Sequence, residues 1–217
     1  MAHRKLDILE RDGFVILKPN ERHIAAEEWE ALDYLDWKSG GDTNFAVLAS
    51  ADGTDDPRGF WELGKPDKDG IWTDNAEKAP TLRRWVEDSK VRFGRVRVIK
   101  LNPSTSENEV TSRFLHQDDN NRLNPDGEGW VVRAWVNLTD DPDSYMVLRE
   151  DKDDPSTEHR IPLPRNAQFL VDTERLWHAV YHPGPEPRYA MITSFESGPA
   201  LKKWVTARMP RPRSKKR

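Results

Sequence analysis

Three side chains that can bind a metal are spaced along this chain in a pattern that indicates a single site. His116 and Asp118 are separated by one residue, and His178 follows about 60 residues later. Residues i and i+2 of an extended segment point to the same side, so His116 and Asp118 can reach one ion while Gln117 faces away. Two imidazoles and one carboxylate hold Fe(II) by one triangular face and leave its other positions open. The pattern predicts these three residues as metal ligands, with His178 arriving from a second strand.

Other residues close to this pattern are weaker ligand candidates. His182 lies four residues after His178, and on a strand the two would be about 13 Å apart, too far to share an ion. His159 is also weaker. Asp119 points to the face opposite His116, so we expect it beside the ligands or in solvent. A structural alternative stays open, in which His116 and His178 only make hydrogen bonds.

Two arginines and a set of aromatic and polar residues are candidates for binding organic molecules. Arg188 lies ten residues after His178, and Arg133 lies inside an apolar run, where a buried charge requires a partner. Arginine offers carboxylates a two-pronged contact that lysine lacks. A structural ion pair with an acid of the core is the alternative for Arg133. Aromatic residues in strands belong more often to the core, so the substrate-side candidates are less specific: Trp61, Trp72, Arg113, Gln117, Asn120, Trp130, Trp135 and Trp177.

A succession of short apolar runs predicts a mainly β fold around these residues. Turns rich in Asn, Asp, Pro and Gly separate the runs. Their number and spacing favour a double-stranded β-helix, a cupin-like jelly roll of two sheets, over a parallel sheet with crossover helices. The expected strands are 94–101, 114–118, 129–138, 144–149, 160–163, 167–171, 177–181 and 189–195.

The N-terminal part is expected to support this core. Apolar spacing predicts a strand at 14–17 and helices over about 20–37 and 75–89. Residues 38–74 are largely irregular and are a candidate lid, because compact domains seldom contain a long structureless loop without a function. We therefore divide the chain into N-terminal support (1–93), a jelly-roll core (94–200) and a basic tail (201–217) that is expected to be disordered.

Composition limits the classes of protein and partner. The 217 residues carry a formal charge of −4, but the last sixteen hold eight Lys/Arg and no acid, which leaves −12 on the first 201. An acidic domain is a poor nucleic-acid binder, so a solvated tail is preferred over docking on nucleic acid, which stays open. The chain has no cysteine, which is compatible with a reducing cytosol. We find no signal peptide or membrane-spanning run and expect a cytoplasmic protein without a membrane partner.

The motifs together resemble the iron(II)- and 2-oxoglutarate-dependent oxygenases over roughly residues 94–198. The shared features are His116-x-Asp118, the distal His178 and Arg188, and the run from Val96 to Pro103, with Arg133-Ala-Trp135 on the next apolar run. The branch with the most similar pattern is that of the aspartyl/asparaginyl and prolyl hydroxylases. Trp135 stands where that branch has a histidine.

The resemblance implies an enzyme with Fe(II) and 2-oxoglutarate as cofactors and molecular oxygen as co-substrate. Arg188 would bind the 5-carboxylate of 2-oxoglutarate, and Arg133 would help to bind its 1-carboxylate. A carboxylate at Asp118 implies hydroxylation or another oxidation, because related halogenases have a small residue there.

The expected substrate is an amino acid or a small specialised metabolite. Oxidation of a protein side chain or a nucleobase, a non-catalytic cupin-like binding module, and a sugar isomerase or epimerase on the same barrel are the alternatives. Oligomeric state is not addressed by the sequence.

Overall fold

Alternating side chains in the apolar runs produce the strands of the computed structural model, which describes residues 5–37, 41–56, 58–124 and 129–210. The strands are β1 (Phe14–Ile16), β2 (Leu35–Asp36), β3 (Thr43–Ser50), β4 (Ile71–Trp72), β5 (Phe93–Leu101), β6 (Val131–Asn137), β7 (Tyr145–Arg149), β8 (His159–Pro162), β9 (Gln168–Val171), β10 (Trp177–Tyr181) and β11 (Arg188–Glu196). The helices are α1 (Asp7–Asp12), α2 (Glu27–Glu30), α3 (Asn75–Lys78), α4 (Pro80–Glu87), α5 (Glu107–Glu109) and α6 (Pro199–Arg208).

The strands form two antiparallel sheets. The large sheet has the order β1-β9-β6-β11-β5-β3-β2, with β4 paired to β3, and the small sheet has the order β10-β7-β8. One buried cluster unites the inner faces of both sheets, with Trp135 and Phe169 from the large sheet and Met146, Leu148 and Ile161 from the small one. The predicted jelly roll is confirmed.

Helices cover the outer face of the large sheet. In β5, Val96 and Val98 belong to the cluster that contains Leu82 of α4 and Leu201 of α6, so the alternate positions of β5 face the small sheet. Trp85 of α4 is also buried there. Because of this alternation, every second side chain of each central strand points into the space between the sheets, where the candidate site lies.

Two N-terminal predictions differ from the structure. Within residues 20–37, only Glu27–Glu30 is helical, and Leu35 pairs as a strand with Phe45 of β3. Tertiary pairing therefore overrides the local helical spacing. The helix predicted over 75–89 is two helices, because the chain leaves helical geometry at Ala79 (φ −122°, ψ 58°) before Pro80 starts α4.

The segment predicted as a strand at 114–118 is also different. Val110–Phe114 forms a wide π-type helical turn, and His116 makes an isolated antiparallel bridge with His178. The predicted adjacency of His116 and the strand of His178 is nevertheless present, with His116 N donating to His178 O at 3.2 Å and His178 N to His116 O at 2.9 Å.

The chain before residue 94 is part of the β structure, since β1 pairs with β9 and β3 with β5. At the other end, α6 buries Leu201, Trp204 and Val205 against the large sheet, so the prediction of disorder is wrong for residues 201–208. Residues 211–217 lie outside the described residues. In the described part of the chain, no helix has both the length and the apolar character needed to cross a membrane.

Candidate metal and 2-oxoglutarate site

The three predicted ligands lie together on the side of the small sheet that faces the large one. One ligand atom from each of His116, Asp118 and His178 lies within 4.8 Å of the other two. The two imidazole rings are 4.3 Å apart between centroids, and His116 Nε2 is 4.0 Å from Asp118 Oδ1. The backbone bridge between His116 and His178 holds the two imidazoles side by side.

Backbone carbonyls orient both imidazoles. His116 Nδ1 lies 2.8 Å from Phe114 O, and His178 Nδ1 lies 3.3 Å from Leu176 O. A carbonyl can only accept, so each Nδ1 carries the proton and each Nε2 lone pair is available to a metal. Burial, with the neighbouring His116, lowers the pKa of His178 to about 4, which keeps that ring neutral.

Asp118 is held as a carboxylate by its neighbours. Burial alone would raise its pKa, but the charge of Arg133 opposes burial, and the pKa of Asp118 is held well below its usual range. Arg133 Nε donates to Asp118 Oδ2 at 3.2 Å, and Asn120 Nδ2 approaches the same oxygen at 3.3 Å. One oxygen of Asp118 is therefore occupied by hydrogen bonds, while Oδ1 faces His116.

Arg133 is part of a buried polar network. Its Nη1 donates to Ser194 Oγ and lies 3.4 Å from Asp67 Oδ2, and its Nη2 donates to Asn120 Oδ1 at 2.5 Å. Ser194 Oγ donates to Asp67 at 2.8 Å. The structure therefore shows Arg133 in the ion pairs that the structural alternative requires, and its predicted contact with the 1-carboxylate of a cofactor stays a prediction.

Unlike Arg133, Arg188 has guanidinium donors without a hydrogen-bond partner. It is 2% exposed, and its Nε and Nη2 have no hydrogen-bond partner. Burial lowers its pKa to about 10, and Asp141 only partly opposes this effect. A buried guanidinium without a partner is costly unless an anion reaches it. Arg188 lines the same cavity as the three metal-binding candidates.

The cavity between the sheets has a volume of about 300 Å³. Of the substrate-side candidates, Trp61, Asn120 and Trp135 line it, whereas Trp72, Arg113, Gln117, Trp130 and Trp177 do not. Gln117 instead donates to Arg175 O, and Arg113 pairs with Glu109 on the surface. Trp61 brings the segment of the candidate lid to the cavity, and closure of that segment stays a prediction.

The other two candidate histidines lie apart from the three-residue cluster, whereas Asp119 lines the same cavity without belonging to the cluster. His182 is buried in a separate contact with Ser144 and Asp141, and the exposed His159 packs against Phe14. Asp119 lies at the mouth of the cavity, where it pairs with Arg122 at 3.6 Å.

Three residues of the site were not among the candidates from the sequence. Arg95 and Arg97 of β5 line the cavity, and Asp67, in the loop before β4, lies 3.8 Å from Arg95 and 3.4 Å from Arg133. The signal for the two arginines was present, because they alternate with Val96 and Val98 as Arg133 does with its apolar neighbours. Asp67 had no comparable signal, since it lies in a segment rich in Asp, Lys and Gly.

Solved structures with a similar fold include 2-oxoglutarate-dependent enzymes. An oxidoreductase of the 2OG-Fe(II) oxygenase family from Burkholderia pseudomallei has a TM-score of 0.56 at 13% identity, over 87% of this chain and 88% of that one. A prolyl hydroxylase from Trichoplax adhaerens, in complex with a hypoxia-inducible-factor peptide, has a TM-score of 0.53 at 12% identity, covering 93% and 91%.

A third similar structure is SnoN, a non-haem α-ketoglutarate-dependent epimerase of nogalamycin biosynthesis, with a TM-score of 0.50 at 16% identity over 87% and 80% of the two chains. No protein-family model matches the sequence, and no curated protein matches it significantly. The predicted resemblance is thus confirmed in the fold: the chain has the jelly roll of the Fe(II)/2-oxoglutarate oxygenases.

Proposed function

We propose that this protein is an Fe(II)- and 2-oxoglutarate-dependent dioxygenase that hydroxylates an amino acid or a small specialised metabolite. One observation carries the proposal: a His-Asp-His cluster and a buried arginine with unpaired donors line one cavity. A metal site alone would also suit a binding module. The additional cation indicates that a second, anionic molecule binds beside the metal.

The residues present fit both cofactors. His116, Asp118 and His178 are the ligand set that suits non-haem Fe(II), with both Nε2 atoms available and the carboxylate ionised. Arg188 supplies a planar fork for the 5-carboxylate of 2-oxoglutarate. When bound, the iron and 2-oxoglutarate supply the oxidising chemistry, in which 2-oxoglutarate and oxygen yield succinate and carbon dioxide and a substrate C–H bond is oxidised.

The other residues of the site position these groups. Arg133 and Asn120 hold Asp118 through Oδ2, so that Oδ1 is left for the metal. Trp135 stacks on Phe169 and meets the His178 ring edge-on at 6.4 Å, which restricts the rotation of that imidazole. Asp118 fills the position that would otherwise be vacant for a halide, which supports hydroxylation over halogenation.

Anaerobic titration of Fe(II) and 2-oxoglutarate into the metal-free protein tests the proposal. We expect the visible charge-transfer absorption that appears when 2-oxoglutarate chelates iron. The absorption should be lost in His178→Ala and kept in His23→Ala, which removes an exposed imidazole away from the cavity. Absence of iron binding in the unmodified protein would show that the cluster is structural, and a binding module would then be the better interpretation.

If the absorption appears, release of succinate in the presence of candidate compounds identifies the substrate. Hydroxylation requires a product one oxygen atom heavier than the substrate. SnoN, which has a similar fold, is described as an epimerase, so an isomeric product of unchanged mass would contradict hydroxylation but keep the cofactors.

A further inference from the structure

Four arginines project into the cavity from the inner face of the large sheet. Arg95 and Arg97 come from β5, Arg133 from β6 and Arg188 from β11. On β5 the arginines occupy alternate positions, about 7 Å apart along the strand, so both face the space in front of the metal-binding cluster. The proposed function uses Arg133 and Arg188. It gives no role to Arg95 or Arg97.

Arg95 has donors available for a ligand. Its side chain is 17% exposed, its Nε has no hydrogen-bond partner, and its Nη2 is 3.8 Å from Asp67 Oδ2, beyond hydrogen-bond distance. Asp67 already accepts from the Arg95 backbone N at 2.7 Å and from Ser194 Oγ at 2.8 Å. Asp67 therefore compensates the charge of Arg95 only in part.

Arg97 adds a second positive charge beside Arg95. Its guanidinium lies 5.1 Å from the centre of the Phe45 ring. Burial lowers the pKa of both arginines, and for Arg97 the positive charge of Arg95 lowers it further. Two positive charges on one buried cavity wall favour an anion beside them.

The cofactors would not neutralise these arginines, because the charges of Fe(II) and doubly ionised 2-oxoglutarate cancel. Among the described residues, Asp67 lies 3.4 Å from Arg133 and 3.8 Å from Arg95, and Asp118 lies 3.2 Å from Arg133. Glu62 and Asp119 lie at its mouth, where Glu62 accepts from Gly59 N at 2.8 Å and Asp119 is more than half exposed. The interior of the loaded site therefore keeps an excess of positive charge.

We propose that the substrate carries an anionic group, a carboxylate or a phosphate, which Arg95 and Arg97 bind. This inference rests on the proposed function, because it assigns the substrate side of the same cavity. A Cβ added to Gly59 would lie 2.9 Å from Trp61 Nε1 and 3.4 Å from Arg95 Nη2, so both donors lie at the same wall. Phe45 and Trp61 also line the cavity and suit an apolar or aromatic substrate body.

Calorimetric titration of the protein loaded with Zn(II) and saturating 2-oxoglutarate tests this assignment without turnover. The probes are 3-phenylpropanoate, phenyl phosphate and the neutral 3-phenylpropanamide. We expect at least one acid to bind and the amide to bind far more weakly. Saturating 2-oxoglutarate keeps Arg188 occupied, so a remaining acid-binding site cannot be the cofactor site, and the tighter acid identifies the preferred anion.

Substitutions of Arg95 in β5 test the assignment, and a substitution of Arg92, just before β5, is the control. Arg95→Gln should weaken acid binding about 10- to 100-fold, the worth of a hydrogen bond to a charged group, while 2-oxoglutarate binding is kept. Arg92→Gln should change nothing, since Arg92 is half exposed and pairs with Asp69 outside the cavity. Arg95→Lys keeps the positive charge but not the two-pronged geometry of the guanidinium, so it should lose less affinity for the acid than Arg95→Gln. It also serves as the second variant should Arg95→Gln fold poorly.

The two proposals fail in different ways. A protein that binds neither Zn(II) nor 2-oxoglutarate refutes the proposed function. A protein that binds both, but binds neither acid, or binds the acid and the amide equally, refutes the anionic substrate alone. An acid that binds Arg95→Gln as tightly as the unmodified protein refutes the role of Arg95.

Discussion

Replacement of Arg188 by methionine should stabilise the metal-free protein while it abolishes 2-oxoglutarate binding. Arg188 is 2% exposed, and its Nε and Nη2 have no partner, so the folded protein bears the cost of burying a charge. The lowering of its pKa to about 10 corresponds to roughly 3 kcal/mol. Buried ionic groups replaced by apolar residues of similar volume often give gains of about 1–4 kcal/mol, which agrees with this value.

The sign of the effect fixes its pH dependence. The folded-state pKa of Arg188 is below the unfolded-state value, so the folded protein binds its proton less tightly. The cost is fully present below the folded-state pKa of about 10 and decreases only as the pH rises from there towards the ordinary pKa of arginine. The difference in free energy of unfolding between Arg188→Met and the unmodified protein should therefore be the same at neutral and at mildly alkaline pH.

Thermal and urea unfolding with and without cofactors measure both parts of the prediction. Without metal, Arg188→Met should raise the Tm by about 6–12 °C, given the usual slope of about 2–4 °C per kcal/mol for a chain of this size. With Zn(II) and excess 2-oxoglutarate, the unmodified protein should gain stability from the ligand, about 2.7 kcal/mol at a concentration of 100 times Kd. The variant should gain only the part due to metal, and Arg188→Lys should keep some response to 2-oxoglutarate.

A clear fall in the Tm of metal-free Arg188→Met would refute this reasoning. It would show that the guanidinium stabilises the fold through contacts of its own. An unchanged response to 2-oxoglutarate would equally show that the 5-carboxylate binds elsewhere.

Two further substitutions distinguish residues that support the metal site from residues that stabilise the fold. Asp67→Asn should weaken metal binding about 10- to 100-fold, measured in competition with a chelator, because Asp67 supports the Arg133 that holds Asp118. Asp69→Asn, at an exposed position of the same loop, should leave metal binding unchanged, and equal effects of the two substitutions would contradict the network. Leu82→Ala, at a fully buried position of α4, should lower the free energy of unfolding by about 2–5 kcal/mol in urea while 2-oxoglutarate binding at saturating metal is kept; a loss under 1 kcal/mol would mean that the helix contributes little to the core.

The sequence predicted the strands of the core and the proximity of the cluster for a physical reason. Alternation of apolar and polar residues is a local property, and the position of His178 in β10 depends on it. His116 instead follows a π-type turn and reaches His178 through an isolated bridge. Local spacing was insufficient where tertiary pairing decides the structure. Residues 20–37 have helical spacing, yet Leu35 joins Phe45 as a strand.

The sequence also could not predict which charged side chains form ion pairs with each other. Arg133 lies within β6 and Arg188 begins β11, and neither position shows from the sequence alone which acid would pair with it. The fold pairs one with Asp67 and Asp118 and leaves donors of the other unpaired. Asp67 is 127 residues from Ser194, so this contact follows from the packing of a loop against β11 and not from any motif.

The isolated bridge between His116 and His178 implies a mechanical role for a bound ion. His116 has only this bridge to β10, whereas the paired strands of the small sheet share full ladders. An ion held by both imidazoles and Asp118 would clasp two stretches of chain about 60 residues apart, as a cross-link does. Withdrawal of such an ion would then release the segment of His116 from β10, and chelators would shorten the lifetime of the protein under protease.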